Sequence, residues 1–261
     1  MSEPDRRSAM LSARELMVRV PHRLLVSDLN VAFEHGSFTA ILGRNGAGKT
    51  LTLHTLAGLR PASGGEVFLK DQALLQWPRR ALARSLGLLT QTTEDAFPST
   101  ALEAVLVGRH PHIGFWEWES EEDRSVALHA LATVGLQGFE DREVATLSGG
   151  ERRRVALAAL LAQAPDVYLL DEPINHLDPH HQLDILHLLR RKATEGHSVI
   201  MTLHDPAIAA RFSDQALLLF GDGTWRFGPT HEVLTEEAMT QLYALPVHEV
   251  RWEGGRTFVM G

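Results

Sequence analysis

The sequence predicts an α/β fold: a core built on a parallel sheet, an antiparallel β subdomain on its N-terminal side, and an α-helical subdomain inserted into the core. Three observations predict it. The glycine-rich octapeptide Gly43 to Thr50 lies between an apolar, β-compatible run and a helix-forming run. A near-continuous apolar run, Val167 to Leu170, reads as a buried parallel strand. From about 92 to 157, strand signals vanish and helical spacing takes over.

The elements follow in order. Residues 1–13 read as frayed. Leu16 to Val20, Asp28 to Phe33 and Phe38 to Leu42 are strands, with Glu34 to Ser37 as a turn before the last. Leu51 to Ala57 is a helix with Gly58 just past its end. After the loop Arg60 to Gly65 come the strand Glu66 to Lys70, a short helix over 78–85 with Pro78 in its first turn, and the core strand Leu86 to Thr90. Helices over Ala101 to Val107, Glu121 to Gly135 and Glu151 to Gln163 form the insertion. The core resumes at Asp166 to Asp171, with a helix over 179–195, the strand Ser198 to Leu203, a helix over Pro206 to Phe212 and the strand Gln215 to Phe220. A helix near 235–243 and a hairpin pattern from His248 to Met260 make a C-terminal appendage. The expected organisation is one domain: core and β subdomain over 1–91 and 158–234, helical subdomain over 92–157, appendage over 235–261.

With 261 residues, the chain is long enough to bury roughly 75% of its unfolded surface without staples. It has no cysteine, hence no disulfide and no thiolate metal site, which fits a reducing compartment. No apolar run approaches the roughly 18–20 residues of a membrane span, and Met1 to Arg14 lacks a signal-peptide core. A formal net charge of −8 argues against broad nucleic-acid binding. These features point to a soluble, cytoplasmic protein.

Gly43-Arg44-Asn45-Gly46-Ala47-Gly48-Lys49-Thr50 has the P-loop spacing G-x-x-x-x-G-K-[ST], in the strand–loop–helix context that gives the motif meaning. Its glycines let backbone N–H groups approach phosphate oxygens, and the helix start adds about half a positive charge. Lys49 would reach the β- and γ-phosphates, and the Thr50 hydroxyl would bind Mg²⁺. Asp171-Glu172 closes the apolar strand, where such cores place a metal-binding Asp; Glu172 would polarise the attacking water. Leu147-Ser148-Gly149-Gly150-Glu151 is a second anion-binding helix start, with Ser148 able to cap and two glycines exposing N–H groups. Its distance from Lys49 does not say whether one nucleotide meets both.

Taken together these motifs resemble an ABC-type ATPase subunit with a P-loop NTPase core. Gly43 to Thr50 matches Walker A, Gln91 the Q-loop, Leu147 to Glu151 the family signature, and Val167 to Glu172 Walker B. Asn175 to Asp178 matches the D-loop, and His204 in Thr202-Leu203-His204-Asp205 the switch histidine. The resemblance implies two copies packed head to tail, with each ATP between the P-loop of one and Ser148 to Glu151 of the other. Gly43, Asn45, Gly46, Ala47, Gly48, Lys49, Thr50 and Leu51 would contact nucleotide in one copy; Ser148, Gly149, Gly150, Glu151 and Asp178 would do so from the other. Thr50, Gln91 and Asp171 would hold Mg²⁺. Glu172 would be the base, and His204 would contact the γ-phosphate. Two positions depart from the usual pattern: Val20 stands where relatives carry an aromatic residue on adenine, and Ile174 where they often carry Thr.

One motif set and no membrane span imply separate membrane subunits, with a substrate-binding protein outside the cell or in the periplasm, and a peripheral place on the cytoplasmic face of the plasma membrane. The segment after Gln91 and the tail Leu245 to Met260 resemble ATPases of importers for iron–siderophore, haem and cobalamin, and the texture of 100–123 and 241–260 favours cobalamin. The rival is a non-transport ABC ATPase acting in assembly or scaffolding. Residues 92–98 with Ala101 to His112 would receive a helix of the membrane subunit, Leu102, Val105 and Leu106 packing inward and Phe97 and Arg109 facing the partner. His110, His112, His180 and His181 read as surface histidines rather than metal ligands. Trp116 and Trp118 are either interface residues or rings packed back on the helical subdomain.

Overall fold

A computed structural model describes residues 9–91, 98–114, 116–175, 177–253 and 255–261. The chain divides into two compact units: Met1–Trp77 with Leu189–Gly261, and Pro78–Leu188.

The first unit opens on an antiparallel hairpin, β1 (Ala9–Val20) and β2 (Arg23–Glu34). Residues 9–13 are therefore not frayed: Leu11 pairs with Phe33 on one side and Leu69 on the other. The alternation that would have revealed this is broken by a bulge. Leu11 and Ala13 point inward, the register then shifts at Glu15 (φ 51°), and Leu16 and Val18 continue the buried face. β3 (Phe38–Gly43) is buried along its whole length and leads into α1 (Lys49–Leu56). Gly58, at φ 71°, supplies the left-handed residue past the helix end. β4 (Gly64–Leu69) and β5 (Gln72–Ala73) complete a sheet of order β2-β1-β4-β5.

The second unit begins with α2 (Arg79–Ser85) and β6 (Leu86–Leu89). Then come α3 (Ala101–Leu106), prolonged by a 3₁₀ turn over Val107–Arg109, α4 (Glu121–Thr133) and α5 (Gly149–Gln163). Each of these three helices starts on a reciprocal capping box: Thr100 with Glu103, Ser120 with Asp123, Ser148 with Glu151. The three pack against one another through buried aliphatic side chains such as Leu102, Val105, Leu131 and Leu157. β7 (Val167–Leu170) pairs in parallel with β6, and α6 (Pro179–Thr194) follows.

Back in the first unit, β8 (Ser198–Thr202), α7 (Pro206–Phe212) and β9 (Gln215–Leu219) lie close to their expected positions. β3 runs parallel to both β8 and β9. β10 (Trp225–Pro229) pairs antiparallel with β9 and has no counterpart in the sequence reading; Gly228 and Pro229 weaken the strand signal, and an edge strand tolerates both. α8 (Thr230–Val233), α9 (Glu236–Tyr243) and the hairpin β11 (Val247–Trp252) and β12 (Gly255–Met260) end the chain. Among the described residues, no helix is long and apolar enough to cross a membrane.

Candidate functional site

In the first unit the glycine loop leaves β3 under tight constraint. A Cβ on Gly43 would sit 2.7 Å from the Leu219 carbonyl oxygen, so only glycine lets the chain turn away this close to β9. Gly46 (φ 77°) and Gly48 (φ 101°) are left-handed, and the Ala47 N–H closes the turn on the Arg44 carbonyl at 3.1 Å. Gly48 caps α1 and, having no side chain, supplies no capping oxygen of its own. The buried Lys49 ammonium donates to the carbonyls of Gly43 at 2.8 Å and Arg44 at 3.5 Å. A phosphate in the loop would offer that ammonium a charged acceptor. Asn45 and Gly46 are exposed, and Thr50 and Leu51 half-buried.

Behind the loop stands Arg23, which the sequence did not single out. Its Nε and Nη2 donate to the Gly221 carbonyl at 3.0 and 2.7 Å. Gly221 abuts the loop: a Cβ there would meet the Cα of Ala47 at 2.9 Å. Arg23 thus braces the turn that backs the glycine loop. Val20 is half-buried at the end of β1, beside the turn containing His22. His204 lies exposed in the bend between β8 and α7.

In the second unit β6 and β7 run side by side, so the residues after them emerge together. The Asp171 N–H donates to the Leu89 carbonyl at 2.8 Å, and Asp171 is fully buried. Glu172 follows in a left-handed conformation (φ 48°) that costs a non-glycine residue of order 1–2 kcal/mol. Its carboxylate is held by two amides: Gln91 Nε2 donates to Oε2 at 2.9 Å and Asn175 Nδ2 at 2.6 Å. The structure therefore brings together two residues placed 81 positions apart, the expected base and the expected Q-loop glutamine. Ile174 is buried beside them.

The residue that organises this cluster is Arg153, which sequence reasoning missed. Its guanidinium donates to the carbonyls of Thr90, Gln91, Asp171 and Pro173. Burial pulls its pKa below the ordinary arginine value, and the charges of Asp171 and Glu172 partly offset that. One side chain of α5 thereby ties the signature helix to the ends of both β6 and β7. Its signal in the sequence is positional. In the run Arg152-Arg153-Arg154, only Arg153 precedes the buried Leu157 and Leu160 by four and seven residues, on the inward stripe.

At the start of α5 the Ser148 Oγ accepts from the Glu151 N–H at 3.2 Å, and the Glu151 carboxylate accepts from the Ser148 N–H at 2.7 Å. Those bonds hold the Glu151 carboxyl below its ordinary pKa. A Cβ on Gly149 would meet nothing within 4 Å. Asp178 accepts from the His181 N–H at 3.1 Å and pairs with its Nδ1 at 2.5 Å, which pulls the carboxyl down to about 2.

Arg109 requires a correction. It does not face outward: its Nε donates to Asp123 at 2.9 Å and its Nη1 to the Ala162 carbonyl at 2.8 Å, within the helical cluster. Phe97 and the rest of 92–97 lie outside the described residues. Leu102 and Val105 pack inward as expected, with Leu106 half-buried. Trp116 and Trp118 are 90% and 88% exposed, which settles against rings packed back on the helices. His112 bonds the Gln163 carbonyl and His180 pairs with Asp184; among the described residues no group of three His, Cys, Asp or Glu is arranged to hold a metal.

The family described as ABC transporter matches residues 26–175. The chain is 35% identical to an iron(3+)-hydroxamate import ATP-binding protein, FhuC, of Bacillus subtilis, over 90% of this chain and 88% of the relative. It is 38% identical to a hemin import ATP-binding protein, HmuV, of Nocardia farcinica, over 94% of this chain and 86% of the relative. Among solved structures it resembles one described as an inward-facing metal-chelate type ABC transporter, with a TM-score of 0.84, 29% identity and coverage of 97% of this chain and 98% of that one. It also resembles the ATP-binding cassette MJ0796, dimeric and bound to ADP and Pi, with a TM-score of 0.72, 26% identity and coverage of 85% and 99%.

Proposed function

Because the chain belongs to the ABC transporter family and is an ATP-binding ATPase of that family, we propose that it powers uptake of a metal-chelate substrate, working beneath separate membrane subunits as a head-to-tail pair. Import ATP-binding proteins for iron hydroxamate, petrobactin and hemin resemble it over about nine-tenths of its length, which favours this reading over a soluble assembly ATPase. The texture of 100–123 and 241–260 favours a cobalamin; all four substrates are metal chelates, and that class is the proposal. A substrate-binding protein would deliver the chelate from outside, and this subunit would sit peripherally on the cytoplasmic face of the membrane.

The observation that carries the chemical reading is Glu172: buried, backbone-strained, and aimed by two amides. Held this way, its carboxylate orients a water and takes its proton as the water attacks the γ-phosphate. Gly43 and Asn45 to Leu51 bind the phosphates of one nucleotide. Ser148, Gly149, Gly150, Glu151 and Asp178 close on it from the second copy, and His204 contacts the γ-phosphate. Thr50, Asp171 and Gln91 would hold Mg²⁺. The donor set fits: a hydroxyl, a carboxylate and an amide oxygen are hard ligands, and Gln91 spends its nitrogen on Glu172, leaving its oxygen for the metal. When bound, the ion neutralises charge on the β- and γ-phosphates.

A cavity of about 710 Å³ in the second unit, lined by Pro98, Glu103, Val107, Arg152 and Gln163 among others, supports docking of a membrane subunit beside Gln91. Val107, 57% exposed, is the apolar side chain offered there.

Glu172→Gln should bind ATP and accumulate as a closed dimer, because only water activation is lost. Ser148→Arg should bind ATP yet fail to close. Sedimentation with ATP and a phosphate-release assay read both. Wild-type turnover by Glu172→Gln would sink the base assignment, and wild-type turnover by Ser148→Arg the composite pocket. Failure to co-purify with any multi-spanning membrane protein would favour the soluble alternative.

A further inference from the structure

Tyr243, the last residue of α9, donates its hydroxyl to the main-chain carbonyl of His204 at 3.0 Å. The bend that carries His204 is anchored on either side by the core itself. The Leu203 N–H donates to the Ile41 carbonyl of β3 at 3.0 Å, and the Asp205 carboxylate caps α7 by accepting from the Ala207 N–H at 2.7 Å. The third anchor, on the histidine's own peptide, comes from the C-terminal appendage.

That appendage holds Tyr243 firmly. α9 ends on Ala244 in the left-handed conformation (φ 56°), with its N–H on the Thr240 carbonyl. The Val247 N–H donates to Thr240 Oγ1 at 3.1 Å and the Glu249 N–H to Glu236 Oε1 at 2.6 Å, fastening β11 to α9. β12 packs along α7, the helix that the His204 bend leads into, and Phe212 and Phe258 are both buried. Burial pushes the Tyr243 hydroxyl up to about 12, with the Asp205 charge adding to it, so the group stays a donor across the working pH range.

We propose that Tyr243 is a positioning residue for His204: it fixes the peptide from which the imidazole projects, and it makes the C-terminal appendage part of the machinery for ATP hydrolysis. The inference rests on the reading of His204 as the γ-phosphate contact. His204 is exposed, and the Tyr243 bond is made to its own backbone carbonyl. A displacement of about 1 Å at such a group is costly to turnover, on the order of 100-fold. Losing this one bond should cost less, about fivefold, the usual worth of a single neutral hydrogen bond.

The test is ATP turnover by the full chain. Tyr243→Phe, which removes one oxygen, should lower kcat about fivefold with KM for ATP unchanged and Tm lowered by at most roughly 4 °C. In a His204→Ala background the same substitution should add nothing, since there is no imidazole left to aim. Equal losses in both backgrounds would mean that Tyr243 only supports the fold, and would overturn the proposal. So would wild-type kcat in Tyr243→Phe while His204→Ala is impaired. Wild-type kcat in His204→Ala would instead remove the reading of His204 on which the proposal stands.

Discussion

The chain carries two glycine-rich helix starts, and they are built differently. At α1 the cap is a left-handed glycine without a capping side chain; the loop needs glycine for steric reasons at Gly43 and for backbone conformation at Gly46 and Gly48, and a lysine lies buried on the loop's own carbonyls. At α5 the cap is a serine, the capping box is complete in both directions, and Gly149 faces open space. The first start has no capping side chain of its own, and in the proposed reading a phosphate takes that place. The second is already capped by its own side chains, and Gly149 is not required by packing. The two glycine-rich starts thus differ in what holds their glycines: steric fit and backbone conformation at α1, and neither of these at Gly149 of α5.

The sharpest way to break the comparison is to remove the lysine, since α5 has no counterpart. Lys49→Ala should weaken ATP binding on the order of 100-fold, the worth of about 2–3 kcal/mol in charge-assisted hydrogen bonds, as read by equilibrium binding of labelled ATP. Retention of wild-type affinity would mean that the two starts bind phosphate by helix dipole alone. Next come matched glycine substitutions. Gly48→Ala forces a side chain into φ 101° with its Cβ 3.1 Å from Leu25, and should cost about 1–2 kcal/mol, lowering Tm by roughly 5 °C. Gly149→Ala should leave Tm unchanged or slightly raised, since alanine is the better helix former, while lowering turnover. Equal Tm losses would erase the distinction.

The smallest effect sharpens the role of the α5 cap. The Glu151 carboxyl is held below its ordinary value by the Ser148 bonds, so it stabilises the fold above the ordinary glutamate range, and that contribution is lost as pH falls through its lowered value. Glu151→Gln should therefore melt about 1–2 °C below wild type at pH 7, an exposed cap being worth roughly 0.5 kcal/mol, and the gap should close as pH falls through that lowered value. A gap independent of pH would assign the cap's worth to geometry rather than charge.

Much of this was legible in the sequence because it is local. Strand, glycine loop and helix follow one another over Phe38 to Leu56, and the turn chemistry that a phosphate needs is written in adjacent residues. Likewise Ser148 with Glu151 predicts its own capped helix, and the apolar run before Asp171 predicts its own buried strand. Other features depend on partners far away in the chain, and no spacing rule reaches them. Residues 9–13 form a strand because β2 and β4 flank them, across a bulge that hides the alternation. Arg109 faces Asp123 and the end of α5 instead of a partner protein, a choice made by how three helices pack. Arg153 joins the ends of β6 and β7 only because those strands are parallel neighbours, and Glu172 meets Gln91 for the same reason. The sequence by itself determined which residues could bind phosphate and activate water, since those abilities reside in side-chain chemistry and short backbone patterns. Only the tertiary structure decided which of them are held, by what, and facing where, because positions distant in the chain become neighbours only through packing.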